Sequence, residues 1–155
     1  MLKSGDTAPL HIQVTDQNGT PVTLQQFAGN KVIVYFYPKD DTPGCTKEAC
    51  GIRDDWTEFS KLGVTVLGVS PDREAAHQKF IEKYQLPFTL LCDPDHQLAE
   101  AFGAWGEKKN YGKTYMGLIR STFILNAQGL VSKVFPRVKA EGHAQQLLKA
   151  LTSSG

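Results

Sequence analysis

The sequence has no apolar stretch long enough to cross a bilayer: its longest, Val32 to Tyr37, falls far short of the roughly 20 residues a membrane-spanning helix needs. Nor does either charge dominate. Lysine and arginine (17) nearly balance aspartate and glutamate (16), so no basic field is available to hold a nucleic-acid backbone or an anionic membrane surface. The opening segment, MLKSGDTAPL, lacks an apolar core of signal-peptide length, which predicts a cytoplasmic protein. Repeats, low-complexity tracts and linker-like stretches are also missing, and the expected organisation is one domain over residues 1–155. Cysteine is scarce and odd in number: three residues argue against a disulfide framework and for free thiols. The four histidines, His11, His77, His96 and His143, stand singly, without metal-ligand spacing to one another or to the cysteines, so neither metal nor other cofactor is expected.

What is present reads as alternating strands and helices. KVIVYFY (Lys31 to Tyr37) and VTVLGV (Val64 to Val69) are unbroken β-branched and aromatic runs, as parallel strands covered on both faces require. Between them Ala49, Ile52, Trp56 and Phe59 recur at helical spacing, and Gly63 follows where a left-handed C-terminal residue is wanted. Further helices are predicted from about Asp72 to Tyr84 and Asp95 to Phe102, with a short strand, Phe88 to Leu91, between them. Near the N-terminus, Ile12 and Val14 are separated from Val22 and Leu24 by Asp16-Gln17-Asn18-Gly19, a β-hairpin signal. A second hairpin is predicted around Asn126-Ala127-Gln128-Gly129, and a last helix carries the stripe Ala144, Leu147, Leu148 and Leu151. The simplest assembly is an α/β fold with a mixed sheet flanked by helices.

The segment that carries chemistry is Pro38 to Cys50, PKDDTPGCTKEAC. Thr42 suits an N-cap and Pro43 the first helical position, a register that puts Cys45 in the first turn. Unpaired N–H groups and the positive end of the helix dipole there favour a thiolate, the reactive form of the side chain. Asp40, Asp41 and Glu48 oppose it, so a cation must come from elsewhere in the chain, and Arg120 is the candidate. The bland alternatives are that Cys45 is a buried, inert cysteine and that Cys50 faces the core beside Ala49.

Five residues apart on an α-helix, Cys45 and Cys50 would have Cα atoms about 8–9 Å apart. A disulfide requires less than about 7 Å, so the pair can close only if the first turns unwind.

These residues resemble a peroxiredoxin, specifically the subgroup called peroxiredoxin Q or bacterioferritin comigratory protein. The Pro-x-x-x-Thr-x-x-Cys motif is complete in Pro38, Thr42 and Cys45, and an arginine motif, RSTFIL, begins at Arg120. The resemblance runs from GDTAPL at Gly5 to the last helix. It implies a thioredoxin-like fold and a thiol peroxidase acting on hydrogen peroxide or alkyl hydroperoxides. Cys45 would be the peroxidatic cysteine. Thr42 and the Cys45 N–H would hold the peroxide, Arg120 would stabilise the charged sulfur and the departing oxygen, and Pro38 would shield the site from water. Cys50 stands where many members of the subgroup carry the resolving cysteine, implying an intramolecular Cys45–Cys50 disulfide reduced by thioredoxin or a similar dithiol. Subgroup resemblance also implies a monomer.

Other residues support weaker readings. Glu48 is either the family's arginine-orienting glutamate or a solvated acid on the helix face. Cys92, before Asp93-Pro94, is either buried at a strand end or an alternative resolving partner. Trp105, Tyr111 and Tyr115 lie in AWGEKKNYGKTYMG, which reads as a long surface loop whose aromatics either pack against the domain, the better reading, or contact a reductant or the alkyl group of a peroxide, and Pro136, Arg137 and Val138 have no evident role. A thioredoxin-type oxidoreductase would want Cys-x-x-Cys and a proline before the strand that follows Arg120, and both are missing. A redox sensor or holdase that exposes a surface as the helix unwinds stands as an additional role.

Overall fold

The computed structural model describes residues 1–153; Ser154 and Gly155, the end of the expected 1–155 unit, lie outside the described residues. Seven strands form one mixed sheet in the order β2-β1-β5-β4-β3-β8-β9. Its centre is β3 (Val32–Phe36), parallel to β4 (Thr65–Ser70), which is parallel to β5 (Thr89–Cys92). On one side β8 (Ser121–Leu125) runs antiparallel to β3 and carries β9 (Val131–Phe135). On the other, the N-terminal hairpin of β1 (Val14–Asp16) and β2 (Pro21–Val22) joins β5. The hairpin is shorter than its apolar pattern, because Leu24 begins a 3-10 turn, Leu24–Phe27.

Alternation along β3 explains its unbroken apolar run. Val32, Val34 and Phe36 enter one core with Leu98, Ala99 and Phe102, whereas Ile33, Tyr35 and Tyr37 enter the other with Ala49, Ile52, Phe80 and Leu147. Each large side chain buried in this way contributes roughly 1.5–3 kcal/mol. The first core lies under α4 (Gln97–Phe102). The second lies under α1 (Pro43–Asp54), α3 (Glu74–Tyr84) and α5 (His143–Ser153).

Two expectations need correction. The helix carrying Ala49 to Phe59 is broken at Asp55 (φ −100°, ψ 17°), which ends α1 and precedes α2 (Trp56–Lys61). Adjacent aspartates compete for backbone bonds and favour such boundaries. The presumed loop AWGEKKNYGKTYMG is a regular hairpin of β6 (Trp105–Asn110) and β7 (Lys113–Leu118), outside the main sheet. Tyr111 (φ 52°) and Gly112 (φ 77°) supply its left-handed turn, which places Tyr111 97% exposed rather than packed. Trp105 instead stacks on His96, with ring centroids 3.6 Å apart.

Among the described residues, no helix is long and apolar enough to cross a membrane, and no His, Cys, Asp and Glu cluster is arranged to hold a metal ion.

Candidate active site

The chain leaves the C-terminal end of β3 at Tyr37, turns through Pro38 to Thr42, and enters α1 with Pro43 as its first residue. Thr42 occupies the N-cap position with an extended backbone and its carbonyl accepts the Thr46 N–H at 2.8 Å. Its hydroxyl does not cap the helix as the sequence suggests. It donates to the Lys39 carbonyl at 2.9 Å, tightening the loop and leaving the hydroxyl oxygen able to accept a further hydrogen bond. Cys45 is buried in the first turn, and the N–H groups of Gly44 and Cys45 precede the first intrahelical bond.

The cation arrives from the other side of the sheet's centre. Arg120 lies between β7 and β8, and its Nη2 donates to Cys45 Sγ at 3.2 Å while Nη1 donates to Glu48 Oε1 at 2.7 Å. One guanidinium thus bridges a thiol and a carboxylate one helical turn apart. The backbone of Arg120 is fixed by the Val138 N–H, which donates to its carbonyl at 3.0 Å, giving Val138 a role invisible in its residue type. Of the two readings of Glu48, the solvated one is excluded: its side chain is fully buried. Burial pushes its carboxyl up to about 7 against the opposing pull of Arg120. Glu48 Oε2 and the hydroxyl of Tyr35 are buried with no partner among the described residues.

Of the three carboxylates expected to oppose a thiolate, Glu48 pairs with Arg120 itself and the other two are engaged elsewhere. Asp40 is paired with His77, and Asp41 accepts from Lys83 Nζ at 2.8 Å and the Tyr84 hydroxyl at 2.7 Å. Sequence reasoning passed over this support. Its signal was a histidine on the same helical face as Phe80 and Tyr84, a face that has to be buried.

Cys45 and Cys50 are both reduced and lie within the intact α1, consistent with the spacing that forbids a disulfide in the helical state. Cys50 is partly exposed, and burial raises its thiol with Arg53 opposing. A groove of about 460 Å³ runs beside it, lined by Lys47, Gly51, Asp54 and the start of α5. Cys92 is buried at the end of β5, with its sulfur 3.7 Å from the Asp16 carbonyl. Pro38 is exposed, one residue beyond the buried Tyr37 that follows β3.

Residues 4–134 match the model of the AhpC/TSA family. The chain is 49% identical over 150 residues to peroxiredoxin Bcp of Escherichia coli, covering 97% of this chain and 96% of that one. Against peroxiredoxin Bcp of Bacillus subtilis it is 45% identical over 150 residues, covering 97% and 95%. The fold superposes with a TM-score of 0.92 on the Xanthomonas campestris bacterioferritin comigratory protein, a structure described for its alkyl peroxide reduction activity, at 37% identity over 98% of this chain and 99% of that one. The fold is therefore the thioredoxin-like fold of these proteins, and the chain belongs to the AhpC/TSA family as a peroxiredoxin, a thiol-dependent peroxidase.

Proposed function

We propose that Cys45 is the peroxidatic cysteine and Cys50 the resolving one, in a cycle that reduces hydrogen peroxide and alkyl hydroperoxides. The observation that carries the assignment is the Arg120 contact with Cys45 Sγ at a helix N-terminus. The Cys45 thiolate attacks one peroxide oxygen, the O–O bond breaks, and the sulfur becomes a sulfenic acid while the departing oxygen leaves as water or alcohol after taking a proton. The peroxide O–H donates to the Thr42 oxygen, and the Cys45 N–H and Arg120 hold the developing negative charge. Pro38 shields the site from water. Glu48 holds the second arm of Arg120, so the guanidinium meets the sulfur in one orientation.

Resolution requires the first turns of α1 to unwind. The Cys50 thiol then attacks the sulfenic acid, forming the Cys45–Cys50 bond and releasing water. A dithiol such as thioredoxin restores both thiols, with the groove beside Cys50 as its approach. The chain works as a single domain in the cytoplasm, a reading supported by its free thiols, and its resemblance to the peroxiredoxin Q subgroup supports a monomer.

The test mixes fully reduced protein with one equivalent of hydrogen peroxide, quenches within seconds, and maps thiols and disulfides by mass spectrometry. Loss of two thiols with a Cys45–Cys50 bridge is expected, together with complete loss of turnover in Cys45→Ser. Cys50→Ser should consume one equivalent and form no intramolecular bridge. A bridge from Cys45 to Cys92 in the unaltered protein would overturn the assignment of Cys50.

A further inference from the structure

The loop between Pro38 and Thr42 is held from outside by α3. His77, wholly buried, places Nδ1 2.6 Å from Asp40 Oδ2 and Nε2 2.9 Å from the Leu91 carbonyl oxygen. Both contacts are acceptors. With Asp40 as the carboxylate, a neutral imidazole, having one N–H, would leave the other nitrogen lone pair facing an oxygen, so the pair fits as imidazolium and carboxylate. Asp40 completes the cluster. Its Oδ1 accepts from the Tyr37 hydroxyl at 2.5 Å and its N–H donates to Asp72 Oδ2 at 2.7 Å, the same oxygen that receives the Ser70 hydroxyl at 2.8 Å.

This cluster sits where the loop is under strain. Asp41 adopts φ 55°, a left-handed conformation that costs a residue with a side chain, and it lies between Asp40 and Thr42. Its own side chain is tied to Lys83 and Tyr84, so α3 fixes two consecutive loop residues, one in the interior and one at the surface. The exposed tie is screened by solvent, whereas the buried one is not. The other titratable groups around the ring are Tyr37 from the end of β3, Asp72 after β4, Cys92 from β5 and Glu74 on α3 itself. Among the described residues no cation other than His77 pairs with Asp40.

We propose that His77 is a positioning residue for peroxide reduction, a buried imidazolium that acts through Asp40 to hold the Lys39–Thr42 loop in the shape that presents Thr42 and Pro38 to Cys45. This rests on the reading of Cys45 as the peroxidatic residue. Holding the loop favours the form that reacts with peroxide and opposes the unwinding that resolution needs, so the two steps should respond in opposite directions when the tie is cut.

The experiment follows single-turnover oxidation of Cys45 by hydrogen peroxide and, separately, formation of the Cys45–Cys50 bridge. His77→Gln, which removes the charge and one donor, is expected to slow Cys45 oxidation about tenfold or more while bridge formation proceeds at least as fast as in the unaltered protein. The paired variant Asp40→Asn/His77→Gln, in which two neutral amides face each other, should recover most of the oxidation rate. A folded His77→Gln protein that oxidises Cys45 at the original rate, with only a lower melting temperature, would reduce His77 to a structural role and overturn the proposal. The unaltered protein gives an independent check: nitrogen-15 NMR of the His77 ring at pH 8 should find a proton on both nitrogens, and a neutral ring there would also overturn it. Cys45→Ser assayed alongside separates the two readings, because turnover in that variant removes the assignment of Cys45 without touching the ring measurement.

Discussion

Two ion pairs with buried carboxylates stand at the start of α1, and they are built differently. Asp40–His77 is saturated: both carboxylate oxygens and both ring nitrogens have partners. Glu48–Arg120 is open. One Glu48 oxygen and the nearby buried Tyr35 hydroxyl lack partners among the described residues, and one arm of the guanidinium rests on sulfur rather than oxygen. Saturated polar clusters rigidify their surroundings, whereas a buried group to which the protein itself gives no partner is free to bond to water or ligand. The first pair is suited to holding a loop and the second to accommodating a peroxide and a sulfur whose charge changes.

The sharpest break in the comparison comes from removing one member of each pair. His77→Leu strands a buried carboxylate and should cost about 3–5 kcal/mol of stability, read from urea unfolding. Asp40→Leu/His77→Leu should recover most of that loss, since no uncompensated charge remains. Arg120→Ala should act mainly on rate, because Glu48, already pushed up to about 7 by burial, takes a proton when its partner is removed. Loss of a preorganised donor at developing charge lowers turnover by roughly 10²–10³-fold, and Arg120→Lys should recover only part of it because an ammonium cannot bridge Glu48 and Cys45 as a fork does. Equal losses of stability and equal losses of rate in both variants would erase the distinction.

The pairs should also separate along the pH axis. Glu48 has a folded-state value of about 7 against an ordinary 4.5, so its contribution to stability is full below the unfolded value and is lost as pH rises through about 7. His77, raised from 6.5 to about 10 against the cost of burial by Asp40, Cys92 and the Leu91 carbonyl, contributes fully below about 6.5 and loses that contribution progressively as pH rises to about 10. Unfolding midpoints should therefore fall in two windows. Glu48→Gln should flatten the lower one, worth on the order of 3 kcal/mol, and leave the upper. A Gln variant that still loses stability between pH 5 and 7 would show that another group titrates there.

How much of this was legible in the sequence follows from the range over which each feature is determined. The buried strands, both main-sheet hairpins and the first-turn position of Cys45 depend on local pattern, and the structure has them where Lys31 to Tyr37, the Asn-Gly turn and Thr42-Pro43 predicted. The need for a cation followed from three nearby acids, and the RSTFIL motif of the family resemblance pointed to Arg120 among the seventeen lysines and arginines. The β6–β7 hairpin was missed because its turn is Tyr111-Gly112 and its strands carry charged and small residues, leaving no apolar alternation to read. The Asp40–His77 pair was missed for a different reason. Its members are 37 residues apart and meet only because β3 and β4 are adjacent and parallel, with α3 following β4 across one face.

The finest test concerns Gly44 alone. A Cβ added there would lie 3.2 Å from Arg120 Nη2, closer than ordinary contact, and next nearest to the Ala140 side chain at 3.9 Å. Its backbone is helical rather than left-handed, so Gly44→Ala introduces no torsional strain and should hold or raise stability by less than about 1 kcal/mol. The guanidinium has to yield by a few tenths of an ångström, and it is the group that meets Cys45 Sγ. Cys45 oxidation should then slow several-fold while the unfolding midpoint stays or rises, a divergence that only the open pair can produce. An unchanged oxidation rate would mean that Arg120 tolerates displacement, and that its charge near the sulfur matters more than the direction of its hydrogen bond.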